Sequence, residues 1–133
     1  MLWDDADAFC RLANLSLVSL ESEEKDREVI NTINILGWPP INGYIQYWTS
    51  GRYNPNITAR WEWAATGEPL TYGAPYCCNG PTQPCVCPPL LLPSNGERIV
   101  NHGYNGFWYW YTANHTETAL PFTCEGRNYK SEQ

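Results

Sequence analysis

The chain has 133 residues and a mass of 15.2 kDa, the size of a single domain that buries a core of its own. A formal net charge of -6 at pH 7 and a pI near 4.7 argue against nucleic acid and anionic membranes as partners. No apolar run reaches the roughly 18 residues of a membrane span, so we expect no membrane insertion.

The first predicted element is a short helix in WDDADAFCRLAN. Acidic residues lie in its first turn, where they interact favourably with the positive end of the helix dipole. Its apolar residues recur at the spacing of one helical face. We expect that face to be Trp3, Ala6, Phe9, Cys10 and Leu12.

A strand and a second helix are predicted next. LSLVSL alternates apolar and polar residues, as a half-buried strand does. ESEEKDREVINTINILG then has helical character, with Ser22 as the N-cap and Gly37 just past the last turn. Its charged start is typical of a solvated helical face.

Five strand-like runs make up most of the remaining chain. YIQYWTSG and ARWEWAATG come first, and the second should place Trp61 and Trp63 on one side with Glu62 toward solvent. ERIVN, GFWYWYT and LPFTCE follow the long loop at residues 65–96. Helices early and antiparallel strands late predict one domain, residues 1–133, of the α+β class.

The long loop at residues 65–96 holds seven of the eleven prolines and four of the six cysteines. Such a loop is functional or disordered, and covalent ties favour an ordered one. Disulfides Cys77–Cys85 with Cys78–Cys87, or Cys77–Cys87 with Cys78–Cys85, are the favoured interpretation. Bridges to another chain and a zinc site remain open, although the pairs are spaced more tightly than structural zinc ligands usually are.

Two apolar stretches are candidates for ligand binding or an interface. In GFWYWYT, Trp108 and Trp110 alternate with Tyr109, so the strand is either buried on both sides or presents one aromatic face. In PPLLLP at residues 88–93, Leu91 lies in a proline-framed loop that packs on the core or contacts a partner.

Six cysteines and three N-glycosylation sequons are typical of the secretory route. The sequons place candidate glycans on Asn14, Asn56 and Asn114. The residues after Met1 do not have the pattern of a signal peptide. We therefore expect an extracellular protein, represented here by the mature piece of a secreted chain.

No pattern in the sequence indicates catalysis. His102 and His115 are the only histidines, and neither stands in a metal-binding or general-base pattern, so both are expected at the surface. No carboxylate pair, Ser-His arrangement or phosphate loop is present. The chain is therefore predicted not to be an enzyme.

The order of several motifs resembles the C-type lectin-like domain. The matches are WDDADAFC, LVSLESEEKDREVI, YWTSG with WEWAATGEPLTY, and PFTCE, and together they extend over nearly the whole chain. The resemblance implies two helices that flank a mixed, mostly antiparallel sheet with one long loop. It also implies a disulfide between Cys10 and Cys124.

The sequence also departs from that family. The second family disulfide would fall near Arg98 and Thr116, and neither is cysteine. The Ca²⁺-binding members carry Glu-Pro-Asn or Gln-Pro-Asp in the long loop, whereas here Gln83 lies in QPC without the acid. FWYWY replaces Trp-Asn-Asp on the neighbouring strand. Since Ca²⁺ needs six to eight oxygens, several from carboxylates, we expect neither Ca²⁺ nor another cofactor.

Two functions follow from the resemblance and the residues. The first is Ca²⁺-independent recognition of a glycan or protein through Gln83, Leu91 and the aromatic strand. The second is self-association into a homo-oligomer or polymer, as a structural subunit of a fibre, shell or matrix. The sequence favours recognition, because most members of the resembled family bind ligands.

Overall fold

A computed structural model describes residues 1–55, 60–70, 97–104 and 107–126 of the chain. The helices and strands are α1 Trp3–Leu12, β1 Leu15–Leu17, α2 Glu23–Leu36, β2 Tyr44–Asn54, β3 Arg60–Trp63, β4 Arg98–Tyr104, β5 Phe107–Ala113 and β6 Cys124–Gly126. Each predicted element is present in the expected order. The α+β class is therefore confirmed.

Local sequence explains where α2 begins and ends. The Ser22 hydroxyl accepts a hydrogen bond from the backbone N–H of Lys25 at 3.1 Å, which satisfies one free donor of the first turn. Gly37 follows the last turn with φ +69°, a left-handed conformation that glycine adopts without steric cost. Both predicted boundary residues are confirmed.

The strands form two antiparallel sheets. β3, β2, β4 and β5 lie side by side in a four-stranded sheet, while β1 and β6 pair separately. Trp48 pairs with Val100 and Arg52 with Arg98, so β2 has extra residues relative to β4 between these positions. This bulge bends β2 where the sheet passes from its first half to the end next to the long loop.

Core residues cover both faces of the four-stranded sheet, because successive strand residues point to opposite sides. Tyr47, Ile99 and Trp110 belong to one cluster, which also takes in Ile33 of α2. Trp48, Val100 and Ala113 belong to the other, together with Trp3, Ala6 and Cys10 of α1. The helices thus flank the sheet, one on each face.

The buried face of α1 is narrower than the sequence predicts. Trp3, Ala6 and Cys10 are buried, but Phe9 is 55% exposed and Leu12 is 89% exposed. The ring of Phe9 contacts Phe122 edge-on, with 5.5 Å between the centroids. The buried face of α1 is therefore limited to Trp3, Ala6 and Cys10.

Cys10 and Cys124 form the disulfide that the family resemblance implies. It joins α1 to β6 across a sequence separation of 114 residues. Closing a loop of that length stabilises the fold by roughly 4–5 kcal/mol in the chain-entropy account. The covalent tie therefore holds α1 next to β6.

Candidate ligand-binding surface

One end of the four-stranded sheet has a group of polar and aromatic side chains that we call the sheet-end cluster: Tyr44, Gln46, His102 and Tyr111. Gln46 of β2 pairs with His102 of β4, and Tyr44 lies two residues before Gln46 on the same face. Tyr111 of β5 is diagonal to His102, within reach of its side chain. Three strands therefore contribute to one surface.

Hydrogen bonds and ring contacts fix the geometry of the sheet-end cluster. The side-chain oxygen of Gln46 accepts a hydrogen bond from the Tyr111 hydroxyl and lies 3.2 Å from Nδ1 of His102. The imidazole lies between two aromatic rings, with centroids 4.8 Å from Tyr44 and 5.4 Å from Tyr111. The amide nitrogen of Gln46 makes no hydrogen bond within the described part of the chain, so it is available to a ligand.

Exposure and charge make this end suitable for an uncharged polar ligand. Tyr44 is 40% exposed, and Gln46 and Tyr111 are half-buried. Burial lowers the pKa of His102, so its imidazole is neutral at pH 7. A surface of aromatic rings and an amide favours stacking and hydrogen bonding over ion pairing.

The opposite face of the same strands carries two of the sequence candidates. Trp110 is only 3% exposed and packs edge-on against Trp63, with 5.6 Å between the ring centroids. Trp108 is half-buried and its indole lies directly over Gly103. A Cβ at position 103 would be only 2.6 Å from the indole, so the contact requires glycine. Trp110 therefore serves the core instead of an exposed face, and Trp108 covers the strand beneath it.

The other end of the sheet, which we call the loop base, holds buried charge. Glu62 is 2% exposed, in contrast to the solvent-facing position expected from the sequence. Its Oε2 accepts hydrogen bonds from Nε and Nη2 of Arg52 at 3.2 and 3.0 Å. Asn54 donates to the same oxygen at 3.3 Å, and Arg60 lies 3.9 Å from Oε1. A buried carboxylate needs such partners, which the sequence pattern did not reveal.

The loop base attaches both ends of the long loop to the sheet. Glu62 bridges to Pro69 where the chain leaves β3. On the return side, the backbone N–H of Tyr53 donates to the carbonyl of Glu97 at 2.9 Å. Arg52 pairs with Glu62 on one side and with Arg98 on the other. The Arg52–Glu62 ion pair therefore lies between the departing and the returning chain.

The carboxylates next to the long loop are those of Glu62, Glu68 and Glu97. Residues 69–96 contain no Asp or Glu. Within the described ranges, no three His, Cys, Asp or Glu side chains come together as metal ligands. The buried carboxylate of Glu62 already forms an ion pair with Arg52, which weakens its attraction for another cation.

Several sequence candidates lie outside the described residues. They are Cys77, Cys78, Cys85, Cys87, Gln83, Leu91 and Asn56. Tyr109 pairs with His102 through the backbone of β5, and its side chain also falls outside what the structure describes. The pairing of these four cysteines therefore stays a prediction from the sequence.

Two of the three sequons can be placed. Asn14 is exposed just after α1, with φ 60°. Asn114 follows β5, and its side-chain oxygen accepts hydrogen bonds from the backbone N–H and the hydroxyl of Thr116 at 2.8 and 2.6 Å. Both asparagines lie at turns next to regular elements, and glycosylation of either one remains a prediction.

Sequence reasoning missed most of the sheet-end cluster. His102 was expected at the surface but is 9% exposed, and Tyr44 and Gln46 were not singled out. Alternation along YIQYWTSG does place Tyr44 and Gln46 on one face, so the sequence could have predicted that these two side chains are neighbours. Their meeting with His102 and Tyr111 depends on strand register, which local patterns do not specify.

No protein-family model and no curated protein matches this sequence. Among solved structures, an SPL-1–GlcNAc complex aligns with a TM-score of 0.64 and 22% identity, covering 92% of this chain and 78% of that chain. The carbohydrate-recognition domain of the mouse scavenger receptor C-type lectin aligns with a TM-score of 0.60 and 17% identity, covering 96% and 82%. The chain therefore has the C-type lectin-like fold.

Proposed function

We propose that this C-type lectin-like chain is a non-enzymatic, extracellular carbohydrate-recognition module that binds glycans without Ca²⁺. The observation that carries this proposal is the sheet-end cluster, where the exposed ring of Tyr44, the half-buried ring of Tyr111 and the amide of Gln46 lie together on one face of the sheet. Sugar rings stack on aromatic faces through their C–H surfaces, and amides pair with their hydroxyls. The SPL-1 structure holds GlcNAc, which supports a glycan as the ligand class.

The charges of the chain support independence from Ca²⁺. The lack of Asp and Glu in residues 69–96 supports it, and so does the guanidinium that neutralises Glu62. Affinity then comes from stacking, burial and hydrogen bonds, none of which salt screens strongly. Binding should change little between low and physiological salt.

Secretion is part of the proposal. The disulfide between Cys10 and Cys124 is stable in an oxidising compartment and is rarely kept in the cytosol.

Within the described residues, no helix is both long and apolar enough to cross a membrane.

The test is a screen of the oxidised chain against immobilised glycans that include N-acetylglucosamine oligomers, with EDTA and then with Ca²⁺. We expect the same glycans to bind with equal affinity in both buffers. Loss of all glycan binding in EDTA would restore the metal-dependent mechanism. Absence of glycan binding in both buffers would contradict carbohydrate recognition altogether.

Self-assembly is the second candidate function. It is favoured by apolar side chains that remain exposed around the end of α2, where Ile35 is 85%, Leu36 66% and Ile41 67% exposed. Such side chains can be covered by another copy of the chain. Multi-angle light scattering over a hundredfold concentration range tests this, and a constant monomer mass would contradict it.

A further inference from the structure

A cavity of about 220 Å³ lies between α2 and the two-stranded sheet, away from the sheet-end cluster. Its α2 wall is formed by residues that recur along one face of the helix. They are Lys25, Glu28, Val29, Thr32, Ile33 and Leu36. Trp38 forms another wall, and Val18 and residues 123–125 complete it.

The walls of this cavity are held in place before any ligand enters. Cys124 is tied by the disulfide to α1, and Lys25 forms an ion pair with Glu125 across the mouth. Trp38 packs edge-on against Tyr47, with 6.2 Å between the ring centroids. A preformed site loses little conformational entropy when it takes up a ligand.

The charges at the mouth favour a cation. Lys25 is paired with Glu125 and Glu21, and Glu125 also accepts the backbone N–H of Ser19 at 2.9 Å. By contrast, the carboxylate of Glu28 makes no ion pair or hydrogen bond with any residue that the structure describes. Three carboxylates, those of Glu21, Glu125 and the exposed Glu28, thus lie around the single ammonium group of Lys25, so the net charge at the mouth is negative.

We propose that this cavity is a second binding site, specific for organic ammonium ions that carry a small apolar body. The apolar part occupies the space between Val29, Ile33 and Trp38, and the ammonium group lies near Glu28. This site is separate from the glycan surface and does not rest on the proposed function.

Titration of ¹⁵N-labelled protein with three probes of similar shape tests the proposal. They are phenethylammonium, 2-phenylethanol and 3-phenylpropionate, which are cationic, neutral and anionic at pH 7. We expect amide shifts in α2 and β6, with the ammonium binding about threefold more tightly than the alcohol and the carboxylate weakest.

Variants separate the charge from the cavity. Glu28→Gln should lower the affinity for the ammonium to that for the alcohol. Glu24→Gln removes a charge that does not line the cavity, and it should change the affinity for neither probe. Thr32→Phe fills the mouth and should weaken all three probes at least fivefold. Tyr44→Ala should leave every affinity unchanged, which distinguishes this site from the glycan surface.

Three results would overturn the proposal. The first is equal affinity for the cation and the anion. The second is an equal effect of Glu24→Gln and Glu28→Gln. The third is the absence of shifts in α2 and β6 for every probe. Thermal unfolding of each variant shows that a lost affinity is not a lost fold.

Discussion

The two ends of the four-stranded sheet differ in charge and in exposure to solvent. At the loop base, Glu62 is buried, and its carboxylate forms an ion pair with Arg52 and accepts a hydrogen bond from Asn54. At the sheet-end cluster, Tyr44 and Gln46 remain accessible and no formal charge is present at neutral pH. A buried charge without partners is costly, whereas half-exposed rings and amides cost little. The charge at the loop base is therefore compensated within the fold, whereas the sheet-end cluster keeps polar and aromatic groups in contact with solvent.

The largest effect is expected from the Arg52→Met variant. It leaves the buried carboxylate of Glu62 without its main partner, so the free energy of unfolding should fall by about 3 kcal/mol. Urea denaturation measures the change. Arg60→Met is the matched control, because its guanidinium is 3.9 Å away and half-exposed, and it should cost less than about 1 kcal/mol.

The double variant Arg52→Met with Glu62→Leu extends the same test. Replacing both charges by apolar side chains should recover much of the lost stability, since no unpaired charge remains. Equal losses for Arg52→Met and Arg60→Met would show that the ion pair at the loop base is not what holds the sheet there.

The next largest effect is expected from Tyr44→Ala at the opposite end. Removing one stacking face should weaken glycan binding about tenfold and change the free energy of unfolding by less than about 0.5 kcal/mol. Calorimetric titration and urea denaturation measure the two quantities. Tyr53→Ala removes a tyrosine ring near the loop base and should leave glycan affinity intact. A comparable loss of affinity in both variants would place the glycan elsewhere.

A smaller effect is expected from pH. Burial holds the pKa of His102 below the ordinary value, so the unfolded chain binds a proton more readily than the folded one. The stability contributed by neutral His102 is present above about pH 6.5 and is lost as pH falls below that value. Urea denaturation from pH 8 to pH 5 should show this decline, and His102→Gln should flatten it. An unchanged slope in that variant would assign the decline to other groups.

The smallest effect is expected from chelation. EDTA should change neither the melting temperature of the oxidised chain nor its glycan affinity, because Arg52 already supplies positive charge at the loop base. Differential scanning calorimetry with and without Ca²⁺ checks this. A rise in melting temperature with Ca²⁺ would reveal ligands for that ion outside the described residues.

Local sequence predicted the regular elements of this protein because their causes are local. The helical period and the residues at each helix end indicated α2 from Ser22 to Gly37, and alternation indicated the strands. The resemblance added the disulfide between Cys10 and Cys124, which no local pattern specifies. Together these were enough to predict the fold.

The functional surfaces were decided by tertiary structure. Glu62 lies between two tryptophans in a strand-like run, and only its position beside Arg52 shows that the carboxylate is buried. Likewise, His102 is far in sequence from Tyr44 and Gln46, and the register of β2 against β4 brings them together. Sequence alone thus determined which elements form. Long-range pairing determined which side chains meet, because a shift of one residue would turn each side chain to the other face.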